Sequence, residues 1–446
     1  MSTLALDRGQ LRRLLVAIPL LVALTWVGGA FVGSRDIVTM RTTIVLVTLV
    51  FVSIVVFRFA ARNDANPDLL FWMLMASFGL KLFAVHFRFA TGLLADAFTY
   101  SRYGEEISYM LAAGESPFGG RYTGSFAVRL MTGVVYLITG PTLVGVSYIW
   151  AWIGLIGMLA FYKAFVAAFP HGDHRLYMIL ALIFPSLILW TSSLGKDALM
   201  MLAGGTAAYG VARSSKRFDL ASLLSLLTGV GAMLAIRPHL AAIFSLAMMM
   251  SLVFRPVRQD SLAPFVKIVG LIMVTVVAVG IAVVASRVVG LEGLDAEEVQ
   301  GFISERQGYT GQTRSVLGEG EHGGSAFTPV DTSSPLGLAI LVPTVLFRPF
   351  PWEAHNVNAM VTSLESLSLL GLLVYRRRSV MAALSGSPRN SFLMLSVLYA
   401  LMFIYIFSAV TNFGIIARQR VQIFPYLFVW IAYLGGRITS PKISRA

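Results

Sequence analysis

Residues 142–162 read TLVGVSYIWAWIGLIGMLAFY, a stretch without one charged side chain. A helix of about 20 apolar residues is long enough to cross the ~30 Å hydrocarbon core of a bilayer. Similar runs recur along the 446 residues, of which 57% are hydrophobic and 13% charged, with a mean hydropathy of +0.77. Soluble globular chains carry about 25% charged residues. The sequence therefore predicts an all-α polytopic membrane protein.

Twelve apolar segments are predicted to be transmembrane helices. With the N-terminus in the cytoplasm, the cytoplasmic turns hold nineteen basic residues and the short outer loops hold six. This is the bias that the positive-inside rule requires, and it places both termini in the cytoplasm. The segments are 14–33, 42–57, 69–87, 142–162, 176–191, 198–212, 219–236, 240–254, 266–286, 357–375, 391–410 and 421–436.

Two long connections, 88–140 and 287–335, fall on the extracytoplasmic side and carry many of the carboxylates. Within the first, residues 103–113 and 126–138 have apolar positions at helical spacing. That pattern predicts short amphipathic helices at the outer leaflet. Residues 336–352 are apolar but contain three prolines, which indicates a re-entrant or interfacial helix instead of a full span.

The chain divides into three predicted parts. Residues 1–68 form two N-terminal transmembrane helices. Residues 69–260 form a module that carries the outer loop 88–140. Residues 261–446 form a C-terminal membrane module with the outer loop 287–356.

Composition excludes several kinds of site. Because there is no cysteine, disulfides, zinc–thiolate sites and cysteine nucleophiles are excluded. The six histidines show no HxxxH or HExxH spacing, which argues against a dedicated transition-metal site. A net charge of +13 would indicate nucleic acid for a soluble protein. Here the bases set the topology, so the expected partner is the lipid bilayer and not nucleic acid.

The polar run DAFTYSRYGEEI, residues 96–107, follows the third predicted span. Asp96 at its start can act as a general base toward a hydroxyl group, or can position a cation. The alternative is an acid that only faces water. Tyr100 and Glu105, on the same run, are candidate substrate contacts.

Lys196 and Asp197 stand at the mouth of a hairpin of two apolar segments. In the structural interpretation, Asp197 only caps a helix N-terminus, where the dipole favours an acid. In the functional interpretation, both side chains face the same aqueous pocket as Asp96, with Asp197 catalytic and Lys196 binding substrate.

Six basic side chains stand at the outer ends of predicted spans. Arg418 and Arg420 go against the positive-inside trend, so something must favour them there. Guanidinium pairs bind a phosphate or diphosphate in bidentate fashion. The alternative is contact with lipid headgroups. The candidate phosphate ligands are Arg418, Arg420, Arg237 and Arg348, and the candidate substrate-binding histidines are His239 and His355.

An acidic outer loop, then the motif Ser-x-x-x-Lys-Asp at 192–197 in the next outer turn, then a basic cytoplasmic turn, resembles the GT-C superfamily of polyprenyl-phosphate-sugar-dependent glycosyltransferases. The similarity covers residues 69–260. It implies that Asp96 matches the first acid of those enzymes and Asp197 the second. Here the first acid is Asp followed by Ala, where the family also uses Asp-Glu, and two further spans precede the module.

The resemblance implies a multi-pass enzyme of the plasma membrane with an extracytoplasmic active site. It would move a sugar or oligosaccharide from a polyprenyl phosphate or diphosphate donor to a glycan, lipid or protein acceptor, in the synthesis of cell-envelope polysaccharide. A divalent cation, Mg²⁺ or Mn²⁺, is a further expectation, with Asp96 and Asp197 as its ligands.

Two other functions are open. An enzyme like the O-antigen polymerases or ligases would place its chemistry on arginine and histidine, with 287–335 as the active loop. A transporter of lipid-linked sugars would carry charges deep in several spans. The deep candidates in this sequence are Lys81, Lys267 and Glu365.

Overall fold

The structure, a computed structural model, describes residues 37–93, 95–117, 124–215, 219–253, 335–354, 357–408, 410 and 412–435. These residues form helices, with no β-strand among them. The α-helices are α1 (Ile37–Ala61), α2 (Pro67–Ala90), α3 (Ala95–Ala112), α4 (Ser125–Thr139), α5 (Leu143–Ala168), α6 (His174–Ile183), α7 (Pro185–Trp190), α8 (Lys196–Ser214), α9 (Leu220–Ile236), α10 (Pro238–Val253), α11 (Pro335–Phe347), α12 (Val357–Tyr375), α13 (Arg377–Gly386), α14 (Ser391–Phe407), α15 (Phe413–Gln419) and α16 (Phe424–Ala432). Short 3-10 helices cover Pro351–Glu353, Ser387–Arg389 and Arg420–Gln422.

Three of these helices, α1, α2 and α5, are long and apolar enough to cross a membrane. The chain also bends by 73° between 359–375 and 377–389, at the junction of α12 and α13. Every predicted apolar segment within the described residues contains helix. The segments 14–33 and 266–286 and nearly all of the loop 287–335 lie outside the described residues.

The single helix expected over 176–191 is two helices. Pro185 has no amide hydrogen and disfavours the helical conformation at the residue before it. Phe184 is accordingly extended, with φ −59° and ψ 128°, and separates α6 from α7. The break turns the six-residue α7 so that its last carbonyls face α2.

Two buried bases of α2 cap those carbonyls. Lys81 Nζ donates to the Thr191 carbonyl at 3.3 Å and also contacts the Thr191 hydroxyl. Arg88 Nη1 donates to the carbonyls of Leu189 at 3.2 Å and Trp190 at 3.3 Å. Positive charge at a helix C-terminus is favoured by the dipole. Lys81 therefore has a structural partner within the bundle.

The two expected amphipathic helices are α3 and α4, and α3 begins earlier than predicted. Asp96 therefore lies in the first turn of a helix and not in a loop. Glycines allow the two helices to cross closely. A Cβ atom on Gly104 would lie 2.4 Å from Thr132 Cγ2, and one on Gly133 would lie 2.5 Å from Ile107 Cγ2.

The centre of the fold is α5 packed on α8, with α9 on the far side of α8. A Cβ atom on Gly157 would lie 2.4 Å from the Leu202 backbone nitrogen, and one on Gly205 would lie 2.4 Å from the Gly157 carbonyl oxygen. Backbone therefore meets backbone, as small residues permit in membrane helix pairs. This contact fixes α8, and with it Lys196 and Asp197 at its N-terminus.

Replacing Gly157 with Ala is expected to destabilise the protein by about 1–3 kcal/mol, because the added methyl group meets immovable backbone. The matched control is Gly231→Ala in α9, where a Cβ atom would meet nothing within 4 Å. That change should be neutral or stabilising, since alanine favours helix. Thermal unfolding midpoints in detergent measure both variants. If both variants shifted the unfolding midpoint by the same amount in the same direction, the close packing of α5 on α8 would be contradicted.

The turn between α1 and α2 is tied to α5 through Asp64. Its carboxylate accepts hydrogen bonds from the Tyr162 hydroxyl at 3.0 Å and from Lys163 Nζ at 3.0 Å. Burial raises the pKa of Asp64, but the hydrogen bond from Lys163 and further polar contacts outweigh it. The pKa therefore lies below its ordinary value of 3.8.

A carboxylate with a lowered pKa in the folded state adds stability above its unfolded pKa and loses it as the pH falls through the folded value. The stability that Asp64 contributes should therefore disappear below about pH 4. The measurement is the thermal unfolding midpoint of wild type and Asp64→Asn from neutral to acid pH. The difference between the two unfolding midpoints should disappear at acid pH. A difference that stays constant with pH would show that Asp64 does not stabilise the protein through its charge.

Candidate functional site

Arg418, near the end of α15, joins two carboxylates from distant parts of the chain. Its Nη1 donates to Asp96 Oδ2 at 2.5 Å, and its Nε donates to Asp197 Oδ2 at 2.5 Å. The Asp96 side chain is 54% exposed, whereas that of Asp197 is 3% exposed. The start of α3, the start of α8 and α15 therefore meet at one place, with one acid accessible and one enclosed.

Arg237, the last residue before α10, holds the other oxygen of Asp197. Its Nη2 donates to Asp197 Oδ1 at 2.7 Å, so each oxygen of that carboxylate receives a guanidinium. Arg237 Nη1 is buried and has no hydrogen-bond partner among the described residues. A buried donor without an acceptor costs about 1–3 kcal/mol. An incoming anion would relieve that cost.

The hairpin mouth itself is held by α5. The indole nitrogen of Trp150 donates to the Gly195 carbonyl at 3.1 Å, directly before α8 begins. Asp197 then occupies the first turn of α8, where the helix dipole favours an acid. Asp197 therefore lies at a helix N-terminus and shares Arg418 with Asp96, and its catalytic role stays a prediction.

The electrostatics favour the charged forms of Asp197 and Arg418. Burial raises the pKa of Asp197, but Arg237 and then Arg418 outweigh it and hold that pKa below its usual value. Asp197 is also the main cause of the raised pKa of Arg418. At Lys196, burial and then Arg237 lower the pKa.

The cluster carries more positive than negative charge. Lys196 interacts electrostatically with both aspartates, with Arg237 and with Arg418. Arg88 interacts with both aspartates and with Arg418. Four basic groups thus surround two carboxylates, a surplus of two positive charges. Such a surplus in a partly enclosed place favours a bound anion, and guanidinium groups suit a phosphate.

A cavity of about 530 Å³ lies beside this cluster, between α2, α7, α12 and α15. Its wall is almost wholly apolar and includes Phe83, Trp190 and Ala417, the residue before Arg418. Phe83 is 69% exposed on the outer surface of the helices, so the cavity reaches the side that would face lipid. Glu365 is an acid on this wall, and it interacts with Ser186 and Arg420.

The structure does not bring Arg420 to the partners of Arg418. Arg420 is buried, and its Nη1 donates to the Leu346 carbonyl at 2.6 Å and to Ser366 Oγ at 3.0 Å. The expected clamp of two guanidiniums on one phosphate is therefore not formed by these two residues. Arg420 instead connects the turn before α16 to α11 and α12.

Arg348 makes a local ion pair. Its Nε donates to Glu353 Oε1 at 2.8 Å, and its guanidinium lies over the Phe413 ring at 5.2 Å. Glu353 and Phe413 line the apolar cavity. Arg348 therefore contacts two residues of the cavity wall.

The remaining predicted substrate contacts are dispersed. Tyr100, a residue of α3, is buried in the core, and Glu105 accepts a hydrogen bond from the Tyr109 hydroxyl at 2.9 Å. The His239 ring lies 6.1 Å from the Phe407 ring. His355 lies outside the described residues.

The residues present do not fit the expected Mg²⁺ or Mn²⁺ ion. The guanidinium of Arg418 occupies the place between Asp96 and Asp197 where a shared cation would have to sit. No group of three or more histidine, aspartate or glutamate side chains comes together within the part of the chain that the structure describes. The divalent cation stays a prediction that this arrangement does not favour.

Sequence reasoning missed Arg88 and Trp150 as parts of the site. Both bind backbone carbonyls around the hairpin mouth, and a carbonyl partner leaves no trace in the sequence. The available signal was the position of Arg88, a base directly after an apolar run.

Searches against protein-family models, curated proteins and solved structures found no match. The function is therefore inferred from the chemistry of the cluster and the cavity.

Proposed function

We propose that this protein is a membrane glycosyltransferase. It moves a sugar or oligosaccharide from a polyprenyl phosphate or diphosphate to an acceptor on the extracytoplasmic face. The observation that carries the proposal is the pair Asp96 and Asp197, joined by Arg418, whose chain neighbour Ala417 lines an apolar cavity. A lipid-linked sugar has the matching parts, a long apolar chain, an anionic head and a sugar.

The donor would bind across the boundary between the two features. The cavity beside α2 and α15 suits the hydrocarbon chain, because its wall is apolar and reaches the outer surface. The two surplus positive charges suit the phosphate, and Arg237 Nη1 supplies a donor that has no acceptor among the described residues. The hydrocarbon chain of the donor would thus fill the apolar cavity, and its phosphate would meet the surplus positive charge.

Asp96 suits the role of general base. Its Oδ1 has no hydrogen-bond partner in the described part of the chain, and its side chain is exposed. In the proposed step, Asp96 takes the proton of the acceptor hydroxyl while that oxygen bonds to the anomeric carbon. The bond from the anomeric carbon to the phosphate oxygen breaks, and the phosphate leaves with the electron pair. Arg418 and Arg237 stabilise its charge.

The proposal includes the topology predicted from the sequence. With twelve transmembrane helices and both termini in the cytoplasm, Asp96, Asp197 and Arg418 would lie at the extracytoplasmic face of the membrane. The support is the distribution of basic residues along the chain. An enzyme so placed would serve cell-envelope polysaccharide synthesis.

The test is turnover by the purified full-length protein in detergent, with polyprenyl phosphates and diphosphates that carry a radiolabelled hexose, pentose or short oligosaccharide. We expect release of the free polyprenyl phosphate or diphosphate and transfer of label to added glycan. Detergent removes compartments, so a pure transporter releases nothing. The control is Asp68→Asn, which breaks an exposed ion pair with Arg58 and should turn over as wild type does. No release from any of these donors would overturn the proposal.

A further inference from the structure

Lys196, the first residue of α8, is a half-buried base whose charge is not neutralised within the cluster. Its ammonium interacts electrostatically with Asp96 and Asp197. Both carboxylates are already paired, Asp96 with Arg418, and Asp197 with Arg418 and Arg237. Lys196 Nζ itself makes no hydrogen bond or ion pair in the part of the chain that the structure describes. A long basic side chain is thus held at the hairpin mouth with its donors unused.

A second unused donor lies at the same helix end. A Cβ atom on Gly124 would lie 3.8 Å from Lys196 Nζ, and the Gly124 amide donates to the Ala235 carbonyl at 2.7 Å. Arg237 follows two residues later, and its Nη2 reaches Asp197 in the first turn of α8. Its Nη1 is buried and has no acceptor among the described residues. Both donors therefore border the N-terminus of α8, which itself favours anions.

The charge of the cluster matches two negative charges better than one. Two carboxylates balance two of the four bases, which leaves a surplus of two positive charges. Arg88 adds charge but no donor, because its Nε, Nη1 and Nη2 all donate to backbone carbonyls. Lys196 Nζ and Arg237 Nη1 remain as donors for an anion. A sugar joined to a lipid through a single phosphate leaves one negative charge, whereas a diphosphate linkage carries two.

We propose that the lipid-linked donor is a polyprenyl diphosphate, and that Lys196 selects it over a lipid with a single phosphate. This rests on the glycosyltransferase proposed above and names its donor class. Lys196 and Arg237 bind the diphosphate, because their donors have no acceptor in the described part of the protein. In the transfer step, the bond from the anomeric carbon to the diphosphate oxygen breaks. Polyprenyl diphosphate leaves with the electron pair, and Asp96 takes the acceptor proton.

The test measures binding with two lipids that differ by one phosphate and carry no sugar. The full-length protein in detergent is titrated with geranylgeranyl methyl phosphate and with geranylgeranyl methyl diphosphate, in which the methyl group stands for the sugar and preserves its charge. We expect wild type to bind the diphosphate at least about tenfold more tightly. In Lys196→Gln this preference should fall by about tenfold, the effect of one hydrogen bond to a charged group.

The matched control is Arg102→Gln, which removes one positive charge from a side chain of α3 that is 81% exposed. It should bind both lipids as wild type does, and unfolding midpoints establish that each variant is folded. Uridine diphosphate glucose carries a diphosphate without a hydrocarbon chain. It should bind far more weakly than the diphosphate lipid, because it leaves the apolar cavity unfilled.

Three results would overturn the diphosphate donor: wild type binds the two lipids equally or prefers the single phosphate, Lys196→Gln weakens both lipids by the same factor, or uridine diphosphate glucose binds as tightly as the diphosphate lipid. The experiment also separates this inference from the proposed function. A preference that depends on Lys196, without turnover of any lipid-linked sugar, keeps the diphosphate site and removes the transferase. Turnover from single-phosphate donors alone keeps the transferase and removes the diphosphate site.

Discussion

The Asp96→Asn variant is expected to lose sugar transfer by about 10²–10⁴-fold, the usual contribution of a general base. Asparagine keeps the size of the side chain, and its carbonyl oxygen can still accept from Arg418. It cannot take a proton from the acceptor hydroxyl. The loss should fall on kcat, because removing a negative charge from a cluster with surplus positive charge does not weaken binding of a phosphate donor.

The comparison is made with Asp68→Asn, which removes one carboxylate outside the cluster and should keep wild-type kcat. Asp96→Glu keeps a carboxylate at a displaced position and should retain more activity than Asp96→Asn. If Asp96→Asn transferred sugar as fast as wild type, Asp96 would not be the general base. It would instead favour an enzyme that relies on arginine and histidine, as in the polymerase and ligase alternative.

The sequence predicted where the helices lie better than where they break. Apolar runs report burial of a whole segment, so the long helices such as α1, α2 and α5 fall where hydrophobicity is high, whereas the polar helix α13 lies outside the predicted segments. The break at Pro185 and the early start of α3 depend on local backbone conformation. The hydropathy of a whole segment predicts neither the break nor the early start. A proline within a run is a usable signal, and at Pro185 it marks the boundary between α6 and α7.

The site was predicted in part, for a reason that Arg418 and Arg420 illustrate. Both were expected to bind phosphate because both oppose the positive-inside trend. Two residues apart on a helix, side chains point about 200° apart. Arg418 therefore turns to Asp96 and Asp197, while Arg420 turns to the Leu346 carbonyl. Charge placement shows that a base needs a partner, but the direction of the side chain decides which partner it finds.

Replacing Asp197 with Asn is expected to destabilise the protein by about 3–5 kcal/mol, because it leaves a buried guanidinium without its counter-charge. Arg237 loses its one ion-pair partner among the described residues, whereas Arg418 keeps its ion pair with Asp96. Thermal unfolding in detergent measures the loss. Asp68→Asn, at an exposed pair, should lose no more than about 1 kcal/mol.

A second change separates lost charge pairing from lost packing. In Asp197→Asn with Arg237→Gln, no buried charge is left unpaired at that contact, so much of the stability should return. The double-mutant cycle gives the coupling between Asp197 and Arg237, expected at the upper end of about 0.5–3 kcal/mol. Sugar transfer should not return, because the double variant lacks both the guanidinium proposed to bind phosphate and the carboxylate that orients Arg418. Additive losses would mean that the two side chains do not stabilise each other, and recovered transfer would place phosphate binding elsewhere.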